Sequence, residues 1–333
     1  MHYSIGKSHF ILGRELSLVA IETKSLTKLY GKTKALKELD FTLNKGEIMV
    51  LLGPNGSGKT TLLLILATIL KPTSGSANVM GFDVVKQPTQ TRQILGIAFQ
   101  EARGFWRHKP TEILRFHATV CGVPKAKREA LMEQILKDLE LWDARGKLFM
   151  HLSGGQAKRL EVAKLLIQRP LLAIFDEPSS QVDLRGKRII WDHIRKLRDE
   201  GSTVLVATNE VREAEYLADR ITILDQGQSV VCETVQRLKD SIAGGDIVEL
   251  EVEALGNNNM IEELNKIEGT FRVTASNETQ LRAYVSMAEA WVPKMTNLCY
   301  QRNIRVLSVR VTEPSLDDVF LHFTGRVLGA TTN

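Results

Sequence analysis

The segment Gly53-Pro54-Asn55-Gly56-Ser57-Gly58-Lys59-Thr60 constrains this chain more than any other. It has the spacing GxxxxGK[ST] and lies between an apolar run, IMVLLG, and a helix-patterned stretch, GKTTLLLILATIL. A short apolar run ending at glycine is the pattern of a buried parallel strand. The glycines let backbone N–H groups turn inward around phosphate oxygens. The helix start adds its positive dipole end. Lys59 can reach the β- and γ-phosphates of a nucleotide, and the Thr60 hydroxyl can ligate Mg2+. Thr61 follows in the first helical turn. The helix is expected to stop before Lys71-Pro72-Thr73-Ser74-Gly75, where proline and glycine break it.

A second cluster supports the phosphate loop. Leu171 to Phe175 is an apolar strand pattern ending at Asp176-Glu177. A strand end beside a phosphate loop is where a magnesium-ordering aspartate is needed, which assigns Asp176 to the metal. Glu177 is then placed to orient and activate water for attack on a γ-phosphate.

The flanking sequence describes how these pieces are carried. Residues 1–19 read as an N-terminal extension, with too short an apolar run for a secretory signal. IETKSLTKLY and ELDFTL read as strands separated at Gly31-Lys32-Thr33. Residues 101–150 change character: ILRFHATVCG and KREALMEQILKDLELW show helical spacing, which predicts a helical insert between two sheet-forming halves. LLAIFD, TVLVAT and ITILDQG then continue a strand–helix alternation, the signature of an α/β layered architecture. Past Gly244-Gly245 the order strand–helix–strand–strand–helix–strand predicts a small α+β domain of ferredoxin-like type over residues 244–333. Its second helix, AEAWVPKMTNLCYQR, is expected to be interrupted or entered at Pro293. The final PSLDDVFLHFTGR is expected to be an amphipathic helix entered at Pro314.

Composition narrows the class. Of 333 residues, 43% are hydrophobic and 25% charged, enough apolar material for a sizeable core. A net charge of +5 suits a nucleotide ligand, a membrane surface or nucleic acid without choosing among them. Cys121, Cys232 and Cys299 lie far apart, which argues against a zinc site or a disulfide framework. The most apolar stretch, Leu62 to Leu70, falls well short of the about 20 residues a spanning helix needs.

Leu152-Ser153-Gly154-Gly155-Gln156 decides the class, because it resembles the LSGGQ signature of ABC ATPases. Ser153 and the two glycines start a helix-like stretch, so their N–H groups can face an anion. The resemblance implies a P-loop NTPase fold of ABC ATPase type over 20–243, with a helical subdomain at about 101–150. It implies that Ser153, Gly154, Gly155 and Gln156 contact ATP bound to a partner subunit, so that two nucleotides are sandwiched in a homodimer or heterodimer. Tyr30 takes the position of the aromatic that stacks on adenine. Gln100, at the end of the GIAFQ strand, resembles the glutamine that senses magnesium and the attacking water. Asp183, in SSQVDL, resembles the aspartate of the loop that crosses the dimer interface. The C-terminal PSLDDVFLHFTGR looks like the ending of daunorubicin-resistance-type exporter ATPases, and the resemblance as a whole covers about residues 20–324.

The family implies ATP and Mg2+ as ligands, and a polytopic membrane permease as partner. It also implies a cytoplasmic position, peripheral on the inner face of the cell membrane. Phe105, Trp106, Arg107 and His108, just past Gln100, form an aromatic-basic cluster that is a candidate contact for that permease. One family mark is missing. Where a histidine usually follows the TVLVAT strand, this chain has Asn209. Asparagine can hydrogen-bond a γ-phosphate but cannot titrate. Two alternatives stay open: a nucleotide-binding regulatory subunit with weak or no hydrolysis, and a soluble ABC ATPase acting on ribosomes or DNA. A single phosphate loop, no sustained heptad run and no dense Lys/Arg stripe weigh against the last, and no nucleic acid partner is expected.

Overall fold

The structure is a computed structural model that describes residues 18–101, 106–242, 245–253, 259–275, 277, 279–312, 314–326 and 328. Nearly all of the expected N-terminal extension therefore lies outside the described residues. The chain divides into two compact units between Cys232 and Glu233, ahead of the change of pattern at Gly244-Gly245.

The first unit opens with a hairpin of β1 (Val19–Tyr30) and β2 (Thr33–Asn44), turning at Gly31 with φ +57. The buried strand β3 (Ile48–Leu52) leads through the phosphate loop into α1 (Lys59–Leu66). There follow β4 (Ser74–Val79), β5 (Phe82–Asp83), α2 (Pro88–Ile94) and β6 (Leu95–Ala98). The helical insert consists of α3 (Pro110–Val120) and α4 (Lys125–Asp138) and gives way to α5 (Gly154–Gln168). Then β7 (Leu172–Asp176), α6 (Leu184–Asp199), β8 (Thr203–Thr208), α7 (Val211–Leu217), β9 (Arg220–Asp225) and β10 (Gln228–Glu233) complete the alternation.

Two sheets result. An antiparallel one has the order β2-β1-β4-β5, and a six-stranded one the order β10-β9-β3-β8-β7-β6, with β3 parallel to both β8 and β9. Every residue of β3, β7 and β8 is buried, as strands covered on both faces require. Helix α1 lies between the sheets. Leu62, Leu63, Ile65 and Leu66 join Ile21, Leu43, Met49, Ile174 and Leu205 in one core, each fully buried side chain stabilising the fold by about 1.5–3 kcal/mol.

Helix α1 is shorter than its apolar pattern suggests. It ends at Leu66, several residues before the expected stop. Thr68 takes a left-handed φ of +62; its N–H bonds Ile65 O, and Ile69 N–H bonds Leu64 O. That is the paired-carbonyl ending usually built on glycine, formed here without one.

The second unit contains α8 (Val235–Asp240), β11 (Asp246–Val252), α9 (Asn259–Asn265), β12 (Thr270–Ala275), β13 (Gln280–Val285), α10 (Ala288–Gln301), β14 (Val306–Thr312) and α11 (Leu316–Thr324). Its sheet order, β12-β13-β11-β14, is that of a ferredoxin-like βαββαβ unit. Val248, Leu250, Leu281, Ala283, Trp291 and Met295 form its core. Pro293 neither interrupts nor starts α10, which runs through it from Ala288 to Gln301. Helix α11 starts from a capping box between Ser315 and Asp318, one residue beyond the expected entry at Pro314.

Candidate nucleotide site

The site forms where the C-terminal ends of β3, β7 and β8 converge, the edge at which parallel sheets hold ligands. Gly53 N–H bonds Thr208 O at 3.3 Å, and Glu177 N–H bonds Ala207 O at 2.8 Å. These bonds bring the phosphate loop, the acidic pair and Asn209 to one place. Asn209 Nδ2 donates to Asn55 Oδ1 at 3.4 Å, so the residue in the place of the usual histidine touches the loop directly.

The loop's shape is imposed by its own subunit. Gly58 has φ +104, and a Cβ there would lie 2.6 Å from Ala35 O. A Cβ on Gly53 would lie 2.2 Å from Leu224 O. Gly227, at the end of the ITILDQG segment, backs the loop: its N–H donates to Ser57 O at 2.9 Å while its carbonyl accepts from Lys37 N–H. Its φ of +81 and a 2.6 Å approach to Ala35 O leave no room for a side chain.

Lys59 is buried. Its ammonium donates to Gly53 O (2.7 Å) and Pro54 O (3.0 Å) and lies 3.9 Å from Glu177. Burial pulls its pKa down, and the neighbouring Glu177 and Asp176 carboxylates oppose that. Burial likewise pushes Asp176 up, against the Thr60 hydrogen bond and the two nearby lysines. Glu177 is raised by burial too, with Lys59 opposing, which moves it toward the range of a useful general base. Glu177 also holds φ +50, a left-handed conformation that costs about 1–3 kcal/mol and persists only where surroundings fix it.

The donor set fits magnesium. Thr60 Oγ1 donates to Asp176 Oδ2 at 2.9 Å, while Asp176 Oδ1 is buried without a hydrogen-bond partner. A hydroxyl and one carboxylate are hard oxygen ligands, and Mg2+ is commonly held by one or two carboxylates plus substrate phosphates. Among the described residues no cluster of three or more His, Cys, Asp or Glu side chains is arranged to hold a metal by itself.

The remaining candidates fall in separate places. Tyr30 ends β1 with 48% of its surface exposed, and Lys28 Nζ lies 5.4 Å from its ring centroid. Gln100 does not end a strand: β6 stops at Ala98, and Gln100 lies exposed beyond it. It remains at the same sheet end as Asp176, since Ala98 pairs with Phe175. Thr61 is half-buried in the first turn of α1.

Ser153 and Gly154 are exposed at the start of α5, with Gly155 and Gln156 half-buried behind them. Ser153 Oγ accepts from Gln156 N–H and Gln156 Oε1 accepts from Ser153 N–H, a reciprocal cap. A Cβ on Gly155 would meet Val182 Cγ1 at 3.5 Å, so this loop neighbours exposed Asp183. Trp106 is 73% exposed, and Phe105 lies outside the described residues.

Beside Gly227, two charged residues are brought to the site by the fold. Lys158 Nζ donates to Glu177 O at 2.7 Å, and Glu213 accepts from Ser179 Oγ (2.6 Å) and Trp191 Nε1 (2.8 Å). Their signal is a charged residue on the buried stripe of a helix, where only a paired charge is tolerated.

Comparison with known proteins gives the family. Residues 36–180 match the ABC transporter family, and residues 234–324 match the C-terminal domain of DrrA1-3-like ATP-binding proteins. The chain is 33% identical over 307 residues to the daunorubicin/doxorubicin resistance ATP-binding protein DrrA of Streptomyces peucetius, covering 92% of each chain. It is 31% identical over 311 residues to the Nod factor export ATP-binding protein I of Rhizobium etli, covering 93% of this chain and 94% of that one. A solved ATP-binding cassette, dimeric in a post-hydrolysis state with ADP and phosphate, matches with a TM-score of 0.60 and 26% identity, over 64% of this chain and 98% of that one. The phosphate loop, acidic pair and signature loop thus sit in a chain that belongs to the ABC transporter family, as an ATP-binding subunit of the kind that serves exporters.

Proposed function

We propose that this chain binds Mg-ATP and hydrolyses it within a two-subunit sandwich, driving export through a polytopic membrane protein. The contrast between its two glycine loops carries this reading. Gly53 and Gly58, at the two ends of the phosphate loop, are pressed against atoms of their own subunit, with only Gly56 between them open, while a Cβ on Gly154 of the signature loop would meet no atom within 4 Å. An exposed helix start with room above it suits an anion presented by a second subunit.

The chemistry follows from the residues. Lys59 exchanges its loop carbonyls for phosphate oxygens, and loop N–H groups bind the rest. Thr60 and Asp176 would hold magnesium, with Gln100 placed at the same sheet end. Bound there, magnesium would supply charge neutralisation and alignment for the terminal phosphate. Glu177 accepts a proton from water as its oxygen bonds the γ-phosphorus and the bond to ADP breaks. Asn209 donates a neutral hydrogen bond to the γ-phosphate. Ser153, Gly154, Gly155 and Gln156 bind the same phosphate from across the interface, and Asp183 lies at that interface. Hydrolysis divides the shared anion and lets the pair open.

No helix among the described residues is long and apolar enough to cross a membrane. A peripheral position on the inner face of the cell membrane, against a permease, completes the reading. Exposed Trp106, with Arg107 and His108, is the proposed contact. Outward transport is supported by the export and resistance named for the relatives.

The deciding experiment is steady-state hydrolysis. Glu177→Gln is expected to lower kcat by about 10²–10⁴-fold while retaining ATP binding. Equal slow turnover by wild type and Glu177→Gln, with the membrane partner present, would instead favour a nucleotide-binding regulatory subunit.

A further inference from the structure

We propose that Lys158 is a positioning residue that ties each subunit's own Glu177 to the signature helix that reads the partner subunit's nucleotide. The proposal rests on the two-subunit reading above.

Lys158 lies little more than one turn into α5, the helix capped by Ser153. Its side chain runs inward, leaving the residue only 8% exposed. Lysine is almost never this buried unless something requires its charge or its donors. Here Nζ donates to the main-chain carbonyl of Glu177 at 2.7 Å, bridging 19 residues of sequence. Burial lowers the lysine's pKa, and the surrounding Glu177, Asp176, Glu213 and Glu161 oppose that.

The bond falls where the backbone needs holding. Glu177 is left-handed, and its two peptide groups are gripped from different elements. Its N–H bonds Ala207 O of β8. Its carbonyl takes Lys158 from α5 and also the N–H (3.3 Å) and hydroxyl (3.1 Å) of Ser180. Among the described residues, the Lys158 bond is the hydrogen bond that links Glu177 to the helix capped by Ser153 and started by Gly154. A helix moves as a rigid rod over so short a distance. A shift or tightening of its first turn against a phosphate therefore reaches the Glu177 carbonyl directly. Occupancy of one composite site can set the aim of the carboxylate in the other.

The test compares Lys158→Met, Lys158→Gln and Lys158→Arg in the full chain, reading kcat, KM and the Hill coefficient for ATP. ATP-induced dimerisation is followed separately by light scattering in a Glu177→Gln background. Lys158→Met and Lys158→Gln are expected to lower kcat about 10–100-fold, to leave KM within about threefold, and to bring the Hill coefficient toward one. Lys158→Arg, which keeps a long cationic donor, is expected to recover most of that loss. The Glu177→Gln/Lys158→Met chain is expected to dimerise with ATP as Glu177→Gln does. Should Lys158→Met fail to fold, Lys158→Gln decides alone. Wild-type kcat in the folded variants overturns the positioning role, as does a kcat loss accompanied by loss of the ATP dimer. If Glu177→Gln itself stays monomeric with ATP bound, the two-subunit reading has failed and the coupling with it.

Discussion

The phosphate loop and the signature loop are both glycine-rich turns opening onto a helix, yet their glycines answer to different neighbours. Gly53, Gly58 and, behind them, Gly227 are pressed against backbone atoms of their own subunit at 2.2–2.6 Å from an added Cβ. Gly154 would meet nothing, and Gly155 only an ordinary contact with Val182. The ends of the first loop are thus part of the fold, and losing Gly53 or Gly58 damages the subunit, whereas Gly56 between them has open space around it. The second is already capped by Ser153 and Gln156, and among the described residues nothing crowds Gly154. What demands it would be the surface that approaches from outside.

The sharpest way to break this contrast is to substitute both loops. Gly58→Ala forces a left-handed alanine against Ala35 O. It is expected to destabilise the first unit by about 1–3 kcal/mol, seen in thermal melting, and to weaken ATP binding more than about tenfold. Gly154→Ala is expected to leave melting unchanged, within about 0.5 kcal/mol as for exposed substitutions, and still to lower hydrolysis roughly tenfold. Equal loss of stability in the two variants would erase the distinction.

Smaller effects sharpen the phosphate side. Asn209→Ala removes a neutral amide that touches Asn55 and is expected to lower kcat by less than about tenfold, far below the effect of Glu177→Gln. A larger loss would make Asn209 the dominant catalytic group. Glu213 is raised by burial, against hydrogen bonds from Ser179, Thr208 and Trp191. Its folded form therefore keeps a proton that the unfolded chain has released above the ordinary glutamate value of 4.5. Stability contributed by this group falls as pH rises from there through the folded value. Melting of Glu213→Gln is expected to show a flatter decline over that window than wild type, and an unchanged slope would contradict the assignment.

Much of this was legible in the sequence. The strand–loop–helix of residues 48–66 and the strand ending at Asp176 were readable because buried parallel strands leave uninterrupted apolar runs. The βαββαβ order of the second unit was readable because its strands alternate. The premature end of α1 at Thr68 was not, since no glycine or proline marks it and tertiary packing holds a threonine left-handed. Pro293 read as a breaker, yet α10 runs through it. Lys158 and Glu213 show in the sequence only as charges on the buried stripe of a helix; their partners, and those of Gly227, are distant in sequence and no local pattern names them. Gln100 was placed at a strand end by its motif, whereas β6 stops at Ala98 because its pairing with β7 stops there.

The most direct test of the two-loop account is the mass of the Glu177→Gln chain in solution with Mg-ATP, measured by light scattering beside the same chain carrying Gly154→Asp. An ATP-dependent dimer for the first and a monomer that still binds ATP for the second are the expected results. A Glu177→Gln chain that binds ATP yet stays monomeric, or a Gly154→Asp chain that dimerises equally well, would contradict the claim that the exposed signature loop completes a nucleotide site on a second subunit.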